Sequence, residues 1–167
     1  PPANLAELTD YARRTGGGIA RLAGALLGAA DPATLDAVEM AGTAYALAGI
    51  LRAVPFHARA KRRLLPADLS ATAGVKPSDY FELRPAAEIA AVVRRVAQAA
   101  TEEIARARAA RATIDRRALP VLAHARLAEI YLSGLAKAGF QPMAPRREIS
   151  ALRKQMALYW ALRRGRY

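Results

Sequence analysis

The sequence contains no cysteine in its 167 residues. Disulfide bonds, thiolate zinc sites and cysteine nucleophiles are therefore excluded, and the composition fits a reducing compartment. Aromatic residues make up only 6% of the chain. No apolar run reaches the roughly 20 residues that span a bilayer, because arginine or lysine interrupts each of them. Any contact with a membrane must therefore be peripheral.

Acidic residues are the scarcer charge, with 14 Asp and Glu against 26 Lys and Arg, which gives a formal net charge of +12. So much positive charge favours an anionic partner, such as a phosphate-bearing ligand, an acidic membrane surface, nucleic acid or an acidic protein. Few aromatic residues lie among the basic ones, and no nucleic-acid-binding motif is present. Nucleic acid is therefore the least favoured of these partners.

The composition predicts an all-α protein, because alanine and arginine are abundant and β-branched residues are sparse. We expect a single helical domain over residues 1–167 with about six helices. They are predicted at Asn4–Gly28, Asp31–Val54, Ser78–Phe81, Pro85–Ala112, Pro120–Ala138 and Arg146–Arg164. Because the chain begins with Pro1 rather than Met, we expect the natural protein to start further upstream.

Three consecutive glycines, Gly16 to Gly18, lie inside the first predicted helix. Each costs a helix roughly 1 kcal/mol relative to alanine. The sequence therefore predicts either a kink at this point or the close approach of another helix backbone.

A dense basic cluster follows the second predicted helix, within the segment from Ala41 to Asp68. Its members are Arg52, Arg59, Lys61, Arg62 and Arg63. Guanidinium groups form paired, charged hydrogen bonds with phosphate oxygens. The cluster is therefore a candidate anion or diphosphate site, and the alternative is a solvated basic loop.

Two stretches of the chain resemble the squalene/phytoene synthase family of isoprenoid synthases. In the first, Tyr11 and Gly17 match the family pattern, and Ala12 stands where the family has cysteine. The second keeps the basic residues and the Leu-Pro pair of the family, namely Arg52, Arg59, Arg62, Leu65 and Pro66. The resemblance implies an isoprenoid-synthase-like helical bundle. This chain would be its C-terminal portion, with the first aspartate-rich motif of the family upstream of Pro1.

The second stretch lacks the acidic residues of the family, because Ala53, Phe56 and His57 replace Asp, Glu and Asp. Mg²⁺ needs oxygen ligands, and neither Ala53 nor Phe56 has a side-chain oxygen. The imidazole nitrogen of His57 suits zinc, copper or iron better than magnesium. We therefore expect no metal, no cofactor and no catalytic residue here. Mg²⁺ would be needed only under the alternative, a prenyltransferase that condenses isoprenoid diphosphates.

The segment Leu51–His57, with Leu65–Asp68 after it, is most similar to a non-catalytic branch of this superfamily. Members of that branch assist the assembly of respiratory complex I. The resemblance implies a pseudoenzyme that binds a protein partner in that assembly, with an isoprenoid or diphosphate ligand as a further candidate. It implies a location in the bacterial cytoplasm, peripheral on the inner membrane, or on the matrix side in a mitochondrion.

The family's reaction cavity implies a second group of candidates. The residues at cavity-lining positions are Tyr11, Gly17, Tyr45 and His57. For Tyr11 and His57 the alternative is ordinary packing in a helical bundle, with the polar atoms satisfied by hydrogen bonds.

The last predicted helix combines aromatic and basic residues. Its membrane-surface candidates are Arg153, Lys154, Trp160, Arg163 and Arg164. Such a helix suits an anionic membrane surface. The alternative is that its apolar side docks onto the core of the protein itself, and the two are compatible if only the arginines touch lipid.

Overall fold

The computed structural model describes residues 1–144, 150–165 and 167, and the described chain is all α-helical, as predicted. The helices are α1 (Leu5–Ala12), α2 (Gly18–Leu26), α3 (Pro32–Arg52), α4 (Val54–Arg59), α5 (Ala67–Thr72), α6 (Pro77–Phe81), α7 (Ala87–Ala109), α8 (Leu119–Leu122), α9 (His124–Lys137) and α10 (Ala151–Arg164). Each of the six predicted helical regions contains helix. The predicted start of the last one, at Arg146, lies outside the described residues. Two short helices lie outside the predicted helical regions, namely α5 and, except for its first residue, α4.

Local capping explains where several helices begin and end. The Asn4 side chain accepts a hydrogen bond from the Glu7 amide at 2.9 Å and opens α1. Asp31 accepts from the Thr34 amide at 2.7 Å and opens α3, with proline at the first helical position. Gly139, with a φ of +62°, follows the end of α9. These three boundaries agree with the sequence-based prediction.

Helix α3 is the central helix of the bundle and packs against α1, α2, α7, α8 and α9. It is apolar around most of its circumference, as expected of a helix covered on several sides. Its fully buried residues include Val38, Ala41, Leu47 and Leu51. Helix α3 therefore contributes many of the residues of the hydrophobic core.

A π-helical turn at Arg13–Gly17 joins α1 to α2 and contains the first two glycines of the triplet. The absence of side chains at this point lets α3 approach closely. A Cβ added at Gly16 would lie 2.6 Å from the Ala46 Cβ, and one added at Gly42 would lie 2.5 Å from the Gly16 carbonyl oxygen. Cβ atoms do not reach such distances without a shift of the backbone. The predicted close approach of another helix is therefore present, and Gly42 is its partner residue.

The last described residue is held against α7. The Tyr167 hydroxyl donates to the Ala107 carbonyl at 3.2 Å, and the Arg108 guanidinium donates to the Tyr167 backbone carbonyl. Helix α10, which leads to this residue, packs on α9. Among the described helices, none is both long and apolar enough to cross a membrane.

Candidate functional site

The basic cluster (Arg52, Arg59, Lys61, Arg62 and Arg63) lies at the C-terminal end of the central helix. Helix α3 ends at Arg52, and the backbone leaves the α-helical conformation at Ala53. Helix α4 then begins at Val54 with Pro55 in its first turn, where the missing proline N–H costs nothing. This break sends the chain in a new direction and places the rest of the cluster on α4 and the loop that follows it.

Arg52 is anchored by a chain of aromatic contacts. Its guanidinium carbon lies 4.8 Å from the centre of the Tyr131 ring, a cation–π contact. The Tyr131 ring centre is 6.3 Å from that of Tyr45, and the Tyr45 ring centre is 5.1 Å from that of His124. His124 is fixed in turn by its Nδ1, 2.7 Å from the Val121 carbonyl oxygen. The structure thus connects the candidate residues Arg52 and Tyr45 through Tyr131, which sequence reasoning did not select.

Lys61 has a backbone conformation that favours glycine, with a φ of +54°. It follows the end of α4, where the Arg62 amide donates to the His57 carbonyl at 2.8 Å and the Lys61 amide donates to the Ala58 carbonyl at 3.0 Å. These two bonds form the Schellman motif, which usually has glycine at this position. The chain therefore places a cationic side chain at a turn position that usually has glycine.

The loop that carries the cluster is held by two aromatic residues of α6. The Lys61 ammonium lies 5.5 Å from the centre of the Phe81 ring. The Tyr80 hydroxyl donates to the Arg62 carbonyl at 3.3 Å. Burial raises the pKa of Tyr80 to about 12, so that the hydroxyl keeps its proton and remains a donor.

Among the described residues, no carboxylate lies within ion-pair distance of the five cations of the basic cluster. Arg52, Arg59, Lys61 and Arg62 are exposed, and Arg63 is half-buried. Elsewhere arginines pair with acids, as Arg21 does with Asp36 at 2.7 Å. The cluster therefore presents several cations whose charge is not neutralised locally.

His57 lies beside the cluster and is partly buried. Burial and the nearby Arg62 lower the pKa of the His57 imidazole below its usual value, which favours the neutral ring at pH 7. Its Nδ1 has no hydrogen-bond partner among the described residues. A neutral imidazole beside several cations adds no charge to the site.

The donor set at the end of α3 does not fit Mg²⁺, the metal that the fold family implies. The positions that carry acids in the family pattern hold Ala53, Phe56 and His57, which offer no side-chain oxygen. No group of three or more His, Asp or Glu residues with metal-binding geometry occurs in the part of the chain that the structure describes.

Two of the cavity-lining candidates lie in the N-terminal part of the chain, Tyr11 on α1 and Gly17 in the π-helical turn. Tyr11 on α1 is 53% exposed. Gly17 is buried, and a Cβ added there would lie 2.6 Å from the Thr43 hydroxyl, so Gly17 serves the close packing of the π turn on α3. Their assignment to a cavity lining remains a prediction, as it does for Tyr45 and His57.

The membrane-surface candidates lie along α10. Trp160 is 46% exposed, and the Arg164 guanidinium stacks on its ring, with 4.9 Å between the guanidinium carbon and the ring centre. Arg153 and Arg163 are exposed, and Lys154 is half-buried. Of the residues in α10, only Ala161 is buried. The helix therefore leaves most of its aromatic and basic residues open to solvent.

A small cavity of about 130 Å³ lies away from the basic cluster, between the π turn, α3 and α7. Glu39 and Glu103 line it together with Arg13 and Arg106. Burial raises the pKa of Glu103, although it is paired with Arg106. Sequence reasoning missed Glu103. Its position between Ala100 and Ala107 on the apolar side of α7 is the signal that could have identified it.

The bundle has the fold of the isoprenoid synthases. The chain superimposes on a dehydrosqualene synthase with a TM-score of 0.79 and 20% identity, covering 98% of this chain and 58% of that one. For squalene synthase HpnC from Alicyclobacillus acidocaldarius, the TM-score is 0.76 at 17% identity, covering 84% of this chain and 54% of that one. The squalene/phytoene synthase family model matches residues 1–155. The chain belongs to the squalene/phytoene synthase family.

The curated relatives of the chain are named as assembly factors and not as synthases. It is 26% identical over 164 residues to NADH dehydrogenase (ubiquinone) complex I, assembly factor 6, from Mus musculus, covering 98% of this chain and 49% of the relative. Identity to the Bos taurus protein of the same name is 27%, with the same coverage. The chain thus spans about half the length of the curated relatives it matches.

Proposed function

We propose that this chain is part of a non-catalytic member of the squalene/phytoene synthase family that assists the assembly of respiratory complex I. The observation that carries the proposal is the replacement of three acidic positions at the end of α3 by Ala53, Phe56 and His57. The names of the curated relatives support the same role. In this role the helical bundle acts as a scaffold for a protein partner.

The charge balance of the site is unfavourable for catalysis. The family's chemistry releases a diphosphate, whose charge Mg²⁺ and its carboxylate ligands help to balance. This site keeps the cations of the basic cluster without those carboxylates. It can attract an anion but has no side chains suited to hold the metal that would activate a diphosphate as a leaving group.

The proposed place of action is the surface of the membrane that contains the respiratory complex. The net charge of +12 and the exposed aromatic and basic residues of α10 support peripheral contact with anionic lipid. In a bacterium this is the cytoplasmic face of the inner membrane, and in a mitochondrion it is the matrix face.

A gene-disruption experiment tests the assembly role. Loss of the protein should lower the amount of fully assembled complex I on native gels and the NADH dehydrogenase activity of the membranes. Succinate dehydrogenase, measured in the same membranes, should not change. Normal amounts of assembled complex I in the disrupted strain would contradict the proposal.

An enzymatic assay separates the scaffold from the alternative, a prenyltransferase. The full-length protein is incubated with farnesyl or geranylgeranyl diphosphate and Mg²⁺, and released diphosphate and condensed product are measured. We expect no turnover from a protein that is folded by circular dichroism. Turnover that an Arg52→Ala substitution abolishes would establish the prenyltransferase and reject the scaffold.

A retained anion pocket is the second candidate function, because the cations of the basic cluster lack nearby carboxylates among the described residues. An isoprenoid diphosphate, bound without turnover, would place its diphosphate on these cations. Without a metal we expect only modest affinity. This binding is compatible with the assembly role.

A further inference from the structure

A groove of about 570 Å³ lies between α10 and the short 3-10 turn that precedes α8. Arg116 lines it from this turn, and Tyr159, Leu162 and Arg163 line it from α10. The volume falls within the range of roughly 300–1,000 Å³ that is usual for ligand pockets. None of these four residues belongs to the basic cluster at the end of α3. The groove is therefore a separate candidate site, which we call the α10 groove.

The two arginines of the α10 groove come from distant parts of the sequence and meet because of the way the chain folds after α10. A Cβ added at Gly165, where α10 ends, would lie 4.0 Å from the Arg116 Nη1. The Arg116 guanidinium therefore reaches the last turn of α10, which contains Arg163. The buried Tyr167 holds this end of the chain on α7, because its hydroxyl donates to the Ala107 carbonyl at 3.2 Å.

The charge of the α10 groove is not balanced by acids. Among the described residues, no carboxylate lies within ion-pair distance of Arg116 or Arg163. The neighbouring Arg117, by contrast, pairs with Asp115 at 2.7 Å. The dipole of α10 favours a cation at Arg163, but it does not account for Arg116, which belongs to another element. Two guanidinium groups in one groove can form paired, charged hydrogen bonds with a phosphate.

The α10 groove continues into an exposed apolar face of the helix. Tyr159 lines the groove, and Met156 and Leu152, which are 45% and 68% exposed, follow it toward the start of α10. Residues spaced by three or four positions share one side of a helix. From Arg163 to Leu152 this side is about 16 Å long, at 1.5 Å per residue. A free phosphate or a nucleic acid backbone would leave it uncovered, whereas a phospholipid has an acyl chain to cover it.

We propose that the α10 groove binds the headgroup of an anionic phospholipid, with an acyl chain along the apolar face of α10. Arg116 and Arg163 bind the phosphate oxygens, and Tyr159 and Leu162 contact the glycerol part. The proposal rests on the membrane contact proposed above and gives it a specific site. Because Arg116 lies outside α10, recognition of this lipid requires the folded bundle and not the helix alone.

Titration of the full-length protein with a soluble, short-chain phospholipid tests the proposal. The probe is dihexanoyl-phosphatidylglycerol below the concentration at which it forms micelles, and isothermal titration calorimetry measures its Kd. Dihexanoyl-phosphatidylcholine should bind at least tenfold more weakly, because its ammonium group repels the two arginines. Glycerol 3-phosphate and inorganic phosphate, which lack acyl chains, should also bind at least tenfold more weakly. Equal binding of any of these three compounds would overturn the proposal: phosphatidylcholine would show that the headgroup charge is not recognised, and either phosphate compound would show that the ligand is a soluble phosphate.

Three substitutions of exposed arginines locate the binding site. Arg116→Gln and Arg163→Gln should each weaken phosphatidylglycerol binding at least tenfold, because each removes a charged hydrogen-bond donor. Arg95→Gln on α7 removes the same charge elsewhere and should leave the Kd unchanged within twofold. The circular dichroism spectra of all three variants should match that of the parent protein. An equal loss of binding in Arg95→Gln, or an unchanged Kd in Arg116→Gln, would reject the α10 groove as the site.

Trp160 provides a local signal for the same titration. It is the only tryptophan among the 167 residues, and its ring centre lies 5.5 Å from that of Tyr159 in the α10 groove. Phosphatidylglycerol should therefore change the Trp160 fluorescence, which is the part of the tryptophan emission that a Trp160→Phe variant lacks. Binding that is detected by calorimetry without a change in this emission would place the lipid elsewhere and overturn the proposal.

Liposome co-sedimentation separates a failure of this proposal from a failure of the proposed membrane contact. If anionic liposomes bind the protein but the short-chain phosphatidylglycerol does not, the α10 groove is rejected and peripheral contact through general electrostatic attraction stands. If neither binds, both are rejected. The amount of assembled complex I on native gels tests the assembly role independently of either result.

Discussion

Gly42 is the residue at which the crossing of α2 and α3 is most sensitive to added volume. A Cβ at this position would lie 2.5 Å from both the Ala20 Cβ and the Gly16 carbonyl oxygen. We expect Gly42→Ala to lower the free energy of unfolding by about 1–3 kcal/mol, the usual cost of overpacking, because the two helices must separate. Chemical denaturation monitored by circular dichroism measures this change.

The same helix offers a matched control for that substitution. Gly49 is also in α3, but a Cβ added there meets nothing within 4 Å. Gly49→Ala should therefore raise the free energy of unfolding by up to about 1 kcal/mol through helix propensity alone. If both substitutions changed the free energy of unfolding equally, the close contact of Gly42 with Gly16 and Ala20 would not be the reason that alanine is unfavourable at position 42.

Lys61 has an unfavourable backbone conformation in the folded protein, and its side chain adds a positive charge to the basic cluster. Because its φ is +54°, Lys61→Gly should raise the free energy of unfolding by roughly 0.5–1 kcal/mol. If the cluster binds anions, the same substitution should reduce the thermal stabilisation by pyrophosphate, since a cation is lost. Thermal unfolding with and without pyrophosphate measures both effects.

Lys76→Gly, at an exposed lysine that caps α6, is the control for loss of a positive charge elsewhere. An equal loss of pyrophosphate stabilisation in both variants would count against a specific site.

Residue-level predictions succeeded where the cause is local. Asn4, Asp31 and Gly139 act through hydrogen bonds and dihedral angles within a few residues, and these are readable from sequence. The glycine triplet indicated that a backbone approaches, but nothing local identifies Gly42 as its partner. The contact of Arg52 with Tyr131 was equally unreadable, because it joins positions far apart in the chain.

At the scale of the helix, the sequence did not decide whether α10 contacts a membrane surface or packs on the core of the protein. It packs on α9 but leaves Tyr159 and Trp160 about half exposed. We expect the protein to co-sediment with liposomes that contain anionic lipid, and the bound fraction to fall as salt rises, because salt screens the attraction. Arg163→Glu with Arg164→Glu should reduce binding several-fold.

The control for the lipid experiment is a charge reversal outside α10. Arg94→Glu with Arg95→Glu changes the net charge by the same amount at two exposed positions of α7. If these substitutions reduce binding as much as those in α10, the net charge and not the helix attracts the membrane.

Helix α5 shows why short elements escape prediction. It has six residues, too few to show a helical period, and no side-chain cap marks its start. The first residue of α5 contacts the N-terminal residues of the chain, because the Ala67 amide donates to the Pro2 carbonyl at 2.9 Å. Such a contact between distant positions cannot be read from the local sequence. Long helices such as α7 were predictable because their apolar positions repeat over several turns.

At the scale of the whole molecule, the all-α isoprenoid-synthase-like fold was predictable because composition and motif resemblance agree. The fold comparison and the family match confirm both. The assignment to the C-terminal portion of that fold remains a prediction, as do the non-catalytic role and the membrane contact. They depend on partners and on parts of the fold that residues 1–167 do not contain.

The π-helical turn at Arg13–Gly17 bears on how this part of the chain tolerates changes in length. A wide turn of this kind takes up one residue more than an α-helical turn does. Gain or loss of a residue near the end of α1 can therefore be absorbed there, while Gly16 keeps its place against Gly42. Helix α2 itself contains no such wide turn before the loop at residues 27–31. Insertions and deletions among relatives should accordingly gather before the turn and avoid α2.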